Sequence, residues 1–274
     1  GDLLGNVWKF DVSATNATDW GSAFTSASKP APLFTAKSGT TPQPITAQVT
    51  AAVNNVTSDP NFGKTFLFFG TGSFMFATDP DSVAVQSWYG LIDDDAVISS
   101  RTELAARTIE TRGTASGRDV RVFSESETGD MEGKKGWVVD LKVEGESAVG
   151  ERIVTRSNLV QLITPTLIAS SIIPDPDPCE AGGSGYINFI DPFSGGRLKY
   201  PAVDLNGDGK FDDNDKLGGE VPGSLDPEVG MPGEAALLPP FLVVSGSTGE
   251  IAEFKLNMGI KMTGRLSWRE IIKD

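Results

Sequence analysis

The run DLNGDGKFDDND, Asp204 to Asp215, sets oxygen-bearing side chains at its first, third, fifth, ninth and twelfth places: Asp204, Asn206, Asp208, Asp212 and Asp215. Its sixth place is Gly209, where a loop wound around one ion needs a residue free to adopt positive φ. Calcium is a hard cation that takes about six to eight oxygens at about 2.3 to 2.6 Å, and alternate residues of a tight loop can turn their oxygens to one centre. The carbonyl of Lys210 would supply the seventh-place ligand. An acidic surface turn without metal is the alternative, and the five matching places plus the glycine favour calcium over it. Asp215 stands where glutamate is usual, so its shorter side chain predicts a one-toothed or water-mediated contact and a weaker site.

Other chemistry is narrowed by inventory. The 274 residues contain no histidine, which excludes Ser-His-Asp and Cys-His nucleophiles, His-ligated zinc and imidazole pH switching. Cys179 is the single cysteine, so neither an internal disulfide nor a multi-cysteine metal site can form. The net charge of −14 would repel nucleic acid and attract cations. Asp93, Asp94 and Asp95 form a second acidic cluster, but three successive side chains of an extended segment cannot face one point, and a solvated turn is expected. Gly70-Thr71-Gly72 and Gly182-Gly183 lack the Lys-Ser/Thr of a phosphate loop and are expected to be turns. No spacing selects a carboxylate pair for glycoside hydrolysis. Of the tryptophans, Trp8, Trp88, Trp137 and Trp268 read as packing residues, while Trp20 lies in a polar loop.

The elements that must position the calcium loop read as short strands. Apolar helical patterning is missing on both sides of it, so the loop is expected between strands, not in a helix–loop–helix hand. Thirty-one glycines and 17 prolines punctuate the apolar runs. Strands are expected at Gly1 to Val12, Ile45 to Val53, Lys64 to Phe69, Phe74 to Phe76, Val83 to Ile92, Arg107 to Arg112, Arg118 to Phe123, Gly136 to Leu141 and Glu151 to Val154. Further strands are expected at Tyr186 to Ile190, Phe241 to Ser245, Glu250 to Leu256 and Thr263 to Ile271. Leu159 to Ile173 should be two strands bent at Pro165, and Arg101 to Ala106 a brief helix. Ser13 to Lys29, Ala36 to Pro44, Pro174 to Pro178 and Gly218 to Pro240 should be loops. No apolar run approaches the roughly 20 residues of a transmembrane helix. The opening at Gly1, without methionine, suggests a piece of a longer polypeptide whose leader lay upstream.

Three segments share a β-run, a glycine turn and a second β-run: GDLLGNVWKFD, YINFIDPFSGGRL (Tyr186 to Leu198) and FLVVSGSTGEIAEFKL (Phe241 to Leu256). Such repetition favours a propeller over a sandwich. We expect a single all-β domain over residues 1–274: a modified β-propeller, which this segment need not complete, with one EF-hand-like calcium loop at 204–215.

The opening GDLLGNVWKFD, FFGTG (Phe68 to Gly72), QSWYGLIDD (Gln86 to Asp94), GWVVDL (Gly136 to Leu141) with GERIVT (Gly150 to Thr155), DPCEAGG followed by YINFIDPFSGGRL, and GRLSWREI (Gly264 to Ile271) stand in this order along nearly the whole chain. In this the chain resembles the C-terminal domain of the PilC/PilY family of type IV pilus tip adhesins. The resemblance implies a noncatalytic β-propeller at the pilus tip, outside the cell, that supports pilus biogenesis, opposes retraction, and serves attachment and twitching motility. It implies calcium as the bound ion, with the family's site falling on Asp204, Asn206, Asp208, the Lys210 carbonyl and Asp212; Asp215 is added from loop geometry. It implies pilins or minor pilins, the upstream part of the same polypeptide, and host or abiotic surfaces as partners. Two other readings are a quinoprotein-like propeller dehydrogenase, opposed by the lack of a CxxCH haem site, and a secreted calcium-dependent carbohydrate-binding module, which would need exposed aromatic rings near Asp204 to Asp215.

Overall fold

The computed structural model describes residues 1–176 and 182–259. Cys179, the strand expected at Thr263 to Ile271, and Trp268 lie outside the described residues. The described chain is all-β, with only short 3-10 turns for helix, and none of its helices is long and apolar enough to cross a membrane.

Ten strands form one sheet: β1 (Thr50–Val53), β2 (Thr65–Gly70), β3 (Ser87–Asp93), β4 (Ala105–Ala115), β5 (Arg118–Phe123), β6 (Gly136–Val143), β7 (Asn158–Gln161), β8 (Pro165–Ile173), β9 (Ser184–Ile190) and β10 (Ser224–Leu225). Their order across the sheet is β7, β8, β9, β10, β5, β4, β6, β3, β2, β1. Every neighbouring pair is antiparallel except β4 and β6. The sheet curls until its two ends approach. Thr50 Oγ1, on the edge strand β1, donates to the carbonyl of Ser157 at 2.6 Å, one residue before the opposite edge strand β7. Trp88 Nε1 donates to Ser157 Oγ at 2.9 Å from inside the curl.

The central strands are apolar on both faces because both faces are covered. Along β3, Trp88 and Ile92 enter the interior cluster with Phe66, Phe68, Trp137 and Leu167. Between them, Tyr89 and Leu91 face outward onto Val7, Leu33, Phe34 and Ile45 of the N-terminal segment. The close approach of β3 and β6 requires glycine: Gly136 has φ +132°, and a Cβ there would lie 2.1 Å from the Gly90 carbonyl oxygen. A third cluster joins β9 and β10 to Ala202, Val203 and Leu205 and to a three-stranded sheet of β11 (Ala236–Leu238), β12 (Phe241–Ser245) and β13 (Ile251–Lys255).

Strands β5 and β12 match their expected limits, and β7 and β8 flank the bend at Pro165. Other expectations are corrected. The opening segment is not one strand; Asn6–Val7 pairs with Phe34–Thr35, and Phe10–Asp11 with Gly21–Ser22. Short ladders therefore occupy the expected loops at Ser13 to Lys29 and Ala36 to Pro44. Arg101–Glu103 forms only one 3-10 turn, closed by a capping box between Ser100 and Glu103. Ile45 and Arg152 make isolated bridges, so strand Ile45 to Val53 shortens to β1 and Glu151 to Val154 forms no strand. Gly218 to Pro240 contains β10 and β11. Gly70 closes β2 and Gly72 bridges to Ile45, so that glycine pair extends the line of β2 and makes no turn.

Phe74 to Phe76 is no strand. The Asp79 carboxylate accepts from Ser73 Oγ, Met75 N–H and Phe76 N–H at 2.7, 2.7 and 2.9 Å, closing the segment into a turn. The buried Arg152 guanidinium donates to the carbonyls of Ser73, Asp79 and Ser82, fixing that turn from below. Of the three repeated segments, only Phe241 to Leu256 closes on itself as a hairpin.

Candidate metal loop

The loop from Asp204 to Asp215 is rooted in the third core cluster. Val203 bridges to Leu256, and Leu205 is buried beside Ala202 and Phe254. Asp204 and Asp215 are thereby carried inside the surface, at 6% and 1% exposure. Asn206, Asp208 and Lys210 are exposed and Asp212 is half-buried.

The carboxylates organise the loop's main chain. Asp204 Oδ1 accepts from Gly207 N–H and Oδ2 from Gly209 N–H, each at 2.7 Å. Asp215 Oδ1 accepts from Leu205 N–H at 2.7 Å and Oδ2 from Asp212 N–H at 3.0 Å, joining the two ends of the loop. Asn206 and Asp208 accept from the amides two residues on. Asp212 caps a 3-10 turn at Asp213–Asp215. Gly207 and Gly209 have φ of +74° and +83°, the latter as the sixth place of the motif requires.

Burial pushes the Asp215 carboxyl above the usual carboxylate range; the charge of Asp204 acts the same way, against the main-chain donors that stabilise the anion. The donor chemistry fits a hard cation: the oxygens are carboxylate and amide, and an oxygen accepting one N–H keeps a second lone pair. Among the described residues no three acidic side chains are grouped closely as metal ligands. Asp204 and Asp215 are brought together; Asn206, Asp208 and Asp212 are strung along the rim, turned to neighbouring amides.

Sequence reasoning missed the groups that other elements bring to this loop. β13 runs beside it, with Asp204 N–H donating to the Lys255 carbonyl at 3.1 Å and Lys255 Nζ to the Gly209 carbonyl at 3.2 Å. An open depression of about 410 Å³ is lined by Asp204, Asn206, Asp208, Phe241, Glu253 and Lys255. Arg118 closes one side, its guanidinium 5.1 Å from the centre of the Phe254 ring. Ser116 Oγ, from the tip of the β4–β5 hairpin, donates to the Asn214 carbonyl at 2.6 Å. The loop thus touches both the large sheet and the small one. Pairing of residues so far apart in sequence has no local signal.

The second acidic cluster is neutralised by the chain itself. Lys9 spans Asp93 and Asp95, and Lys135 meets Asp94. Hydrogen bonds to these two aspartates hold the Lys9 ammonium above its ordinary pKa. Trp88 and Trp137 are fully buried, and Trp20 is 51% exposed, its indole N–H donated to the Ala14 carbonyl.

No protein-family model matches the chain. Across an alignment of 278 positions that takes in the whole chain, it is 35% identical to the type IV pilus biogenesis factor PilY1 homolog of Xylella fastidiosa, and covers 20% of that protein. Over 99% of the chain it is 25% identical to the type IV pilus biogenesis factor PilY1 of Pseudomonas aeruginosa, covering 26% of it. The chain therefore spans about a fifth to a quarter of the length of these curated relatives. The crystal structure of the Pseudomonas aeruginosa PilY1 C-terminal domain superposes with a TM-score of 0.72 at 20% identity, over 94% of this chain and 56% of that one. The all-β architecture is shared with that domain.

Proposed function

This chain is a homologue of PilY1-type type IV pilus biogenesis factors, and on that premise we propose that it is a noncatalytic, calcium-binding module of a protein supporting type IV pilus biogenesis outside the cell, at the pilus tip. The observation that carries the pilus reading is the 35% identity along the whole chain to a protein named as a type IV pilus biogenesis factor. Pilins or minor pilins, and the remainder of the same polypeptide, are the partners this reading gives it. Control of retraction, surface attachment and twitching motility are the behaviours it would serve.

Calcium would be held by Asp204, Asn206, Asp208, the Lys210 carbonyl, Asp212 and Asp215. Bound there, it supplies positive charge to a loop where two buried carboxylates already oppose each other. Asp204 winds the loop by holding Gly207 and Gly209, and Asp215 joins its ends. Because the loop contacts both sheets, filling it would stabilise their junction by mass action.

Replacing the chromosomal copy in the source bacterium with the Asp204→Ala/Asp208→Ala variant tests this. Surface pilin recovered by shearing and the twitching zone should both change from wild type, while the variant protein persists at normal level. Unchanged piliation and motility, from a variant shown by calorimetry to have lost calcium, would remove the calcium loop from the pilus role.

A further inference from the structure

We propose that Lys255 is a built-in competitor of the cation at the Asp204–Asp215 loop, and that it sets the calcium concentration at which the loop fills. The inference rests on the calcium reading above. The Asp204 N–H to Lys255 carbonyl bond fixes this residue's main chain beside the loop's first ligand. From that point the ammonium reaches the carbonyl of Gly209 at 3.2 Å, and a Cβ built on Gly209 would lie 3.3 Å from the same nitrogen. The partner of this ammonium is a main-chain carbonyl distant in sequence, whereas Lys9, Lys135 and Lys216 each reach a carboxylate and Lys64 the side-chain amide oxygen of Asn61 three residues away.

A lysine has a long, flexible stem and a strongly hydrated head, and needs a reason to settle on a neutral oxygen. The reason here is the field of the loop. Asp204, Asp208, Asp212 and Asp215 lie within twelve residues, and the two buried carboxylates accept from main-chain amides that carry no full positive charge. Lys255 and, on the far side of the depression, Arg118 are the positive charges that other elements bring to that field, and of the two Lys255 is the one hydrogen-bonded to the loop's main chain. It also holds the sixth residue of the loop in its wound conformation. A divalent ion entering the depression meets a like charge held at the Gly209 carbonyl, next to the Lys210 carbonyl it would take, so calcium binds against the repulsion of the ammonium. Repulsion between a unit charge and a divalent ion several ångströms apart, in mostly aqueous surroundings, alters affinity by about 3- to 10-fold.

Isothermal titration with calcium of the wild-type chain and of Lys255→Met and Lys255→Arg is the test, run at low and at high salt. Lys255→Met should bind about 3- to 10-fold more tightly, the advantage should shrink with added salt, and Lys255→Arg should stay near wild type. In chelator, Lys255→Met should melt below wild type, because the Gly209 carbonyl has lost its donor. Lys255→Gln provides a second neutral variant and should show the same tightening. Equal or weaker binding by both neutral variants overturns the role given to Lys255 and leaves the calcium loop standing. Absence of calcium heat from every protein, wild type included, overturns both.

Discussion

Gly209 and Asp191 show how far single residues control this fold. Gly209 sits at φ +83° with open space except toward Lys255 Nζ, so Gly209→Ala creates backbone strain with little steric clash. The left-handed conformation costs a non-glycine residue about 1–2 kcal/mol; urea denaturation in chelator should show a loss of that size, and calcium affinity should fall with it. Asp191, just after β9, accepts from the amides of Phe193 and Ser194 at 2.8 and 3.0 Å, yet burial, helped by the charge of Asp59, pushes its carboxyl above the ordinary 3.8. A carboxyl raised on folding contributes stability in full below its unfolded pKa and loses it as pH rises through the folded one. Asp191→Asn, which keeps an acceptor oxygen, should therefore melt above wild type at pH 7, with the gap closing below about pH 4. A pH-independent gap would show that the charge of Asp191 is irrelevant. At this scale the candidate loop could be picked out because all its side-chain oxygens lie in one dozen residues. Glu253 and Lys255 could not, since only the packing of β13 brings them there.

At the scale of elements, a buried ionic network fastens β5, β8, β9 and β10. Arg121 donates to both oxygens of Glu151 at 2.5 and 2.8 Å, to Asn188 at 3.0 Å and to Ser224 at 2.9 Å, and its guanidinium lies 3.6 Å from the centre of the Tyr186 ring. Glu151 also accepts from Ser171 Oγ at 2.6 Å. Removing one partner of such a pair leaves the other charged and dry, which costs about 3–5 kcal/mol. Arg121→Met should lose that much in urea, and Arg121→Met with Glu151→Leu should recover most of it; equal losses would mean that packing, not charge, dominates. Strands β2, β3 and β8 were readable from sequence because continuous apolar runs match burial on both faces. Phe74 to Phe76 misled for the same reason: an aromatic run looks like a strand unless the distant Arg152 is known to hold it as a turn. The N-terminal ladders are two or three residues long, too short for any period to register.

Across the molecule, the curl of the sheet brings residues distant in sequence into one interior, as when Phe66 and Leu167 share a cluster. Contacts of that kind close large loops, and their entropy must be met before they contribute. Repetition in the sequence pointed to the right class of architecture, but the order β10, β5, β4, β6 is set by pairing that no local pattern records. The same interior places the indoles of Trp88 and Trp137 edge to face, ring centres 5.9 Å apart and both fully covered, while Trp20 stands in water. In a Trp8→Phe/Trp268→Phe background, which leaves these three tryptophans, light emission should therefore divide in two. Acrylamide should extinguish a long-wavelength component belonging to Trp20 and leave a short-wavelength component from the sealed pair, and Trp20→Phe should abolish the first alone. A single, uniformly quenched band would mean that the pair is open to solvent. The curled sheet thus carries its own fluorophore, which reports whether its interior is sealed without any added label.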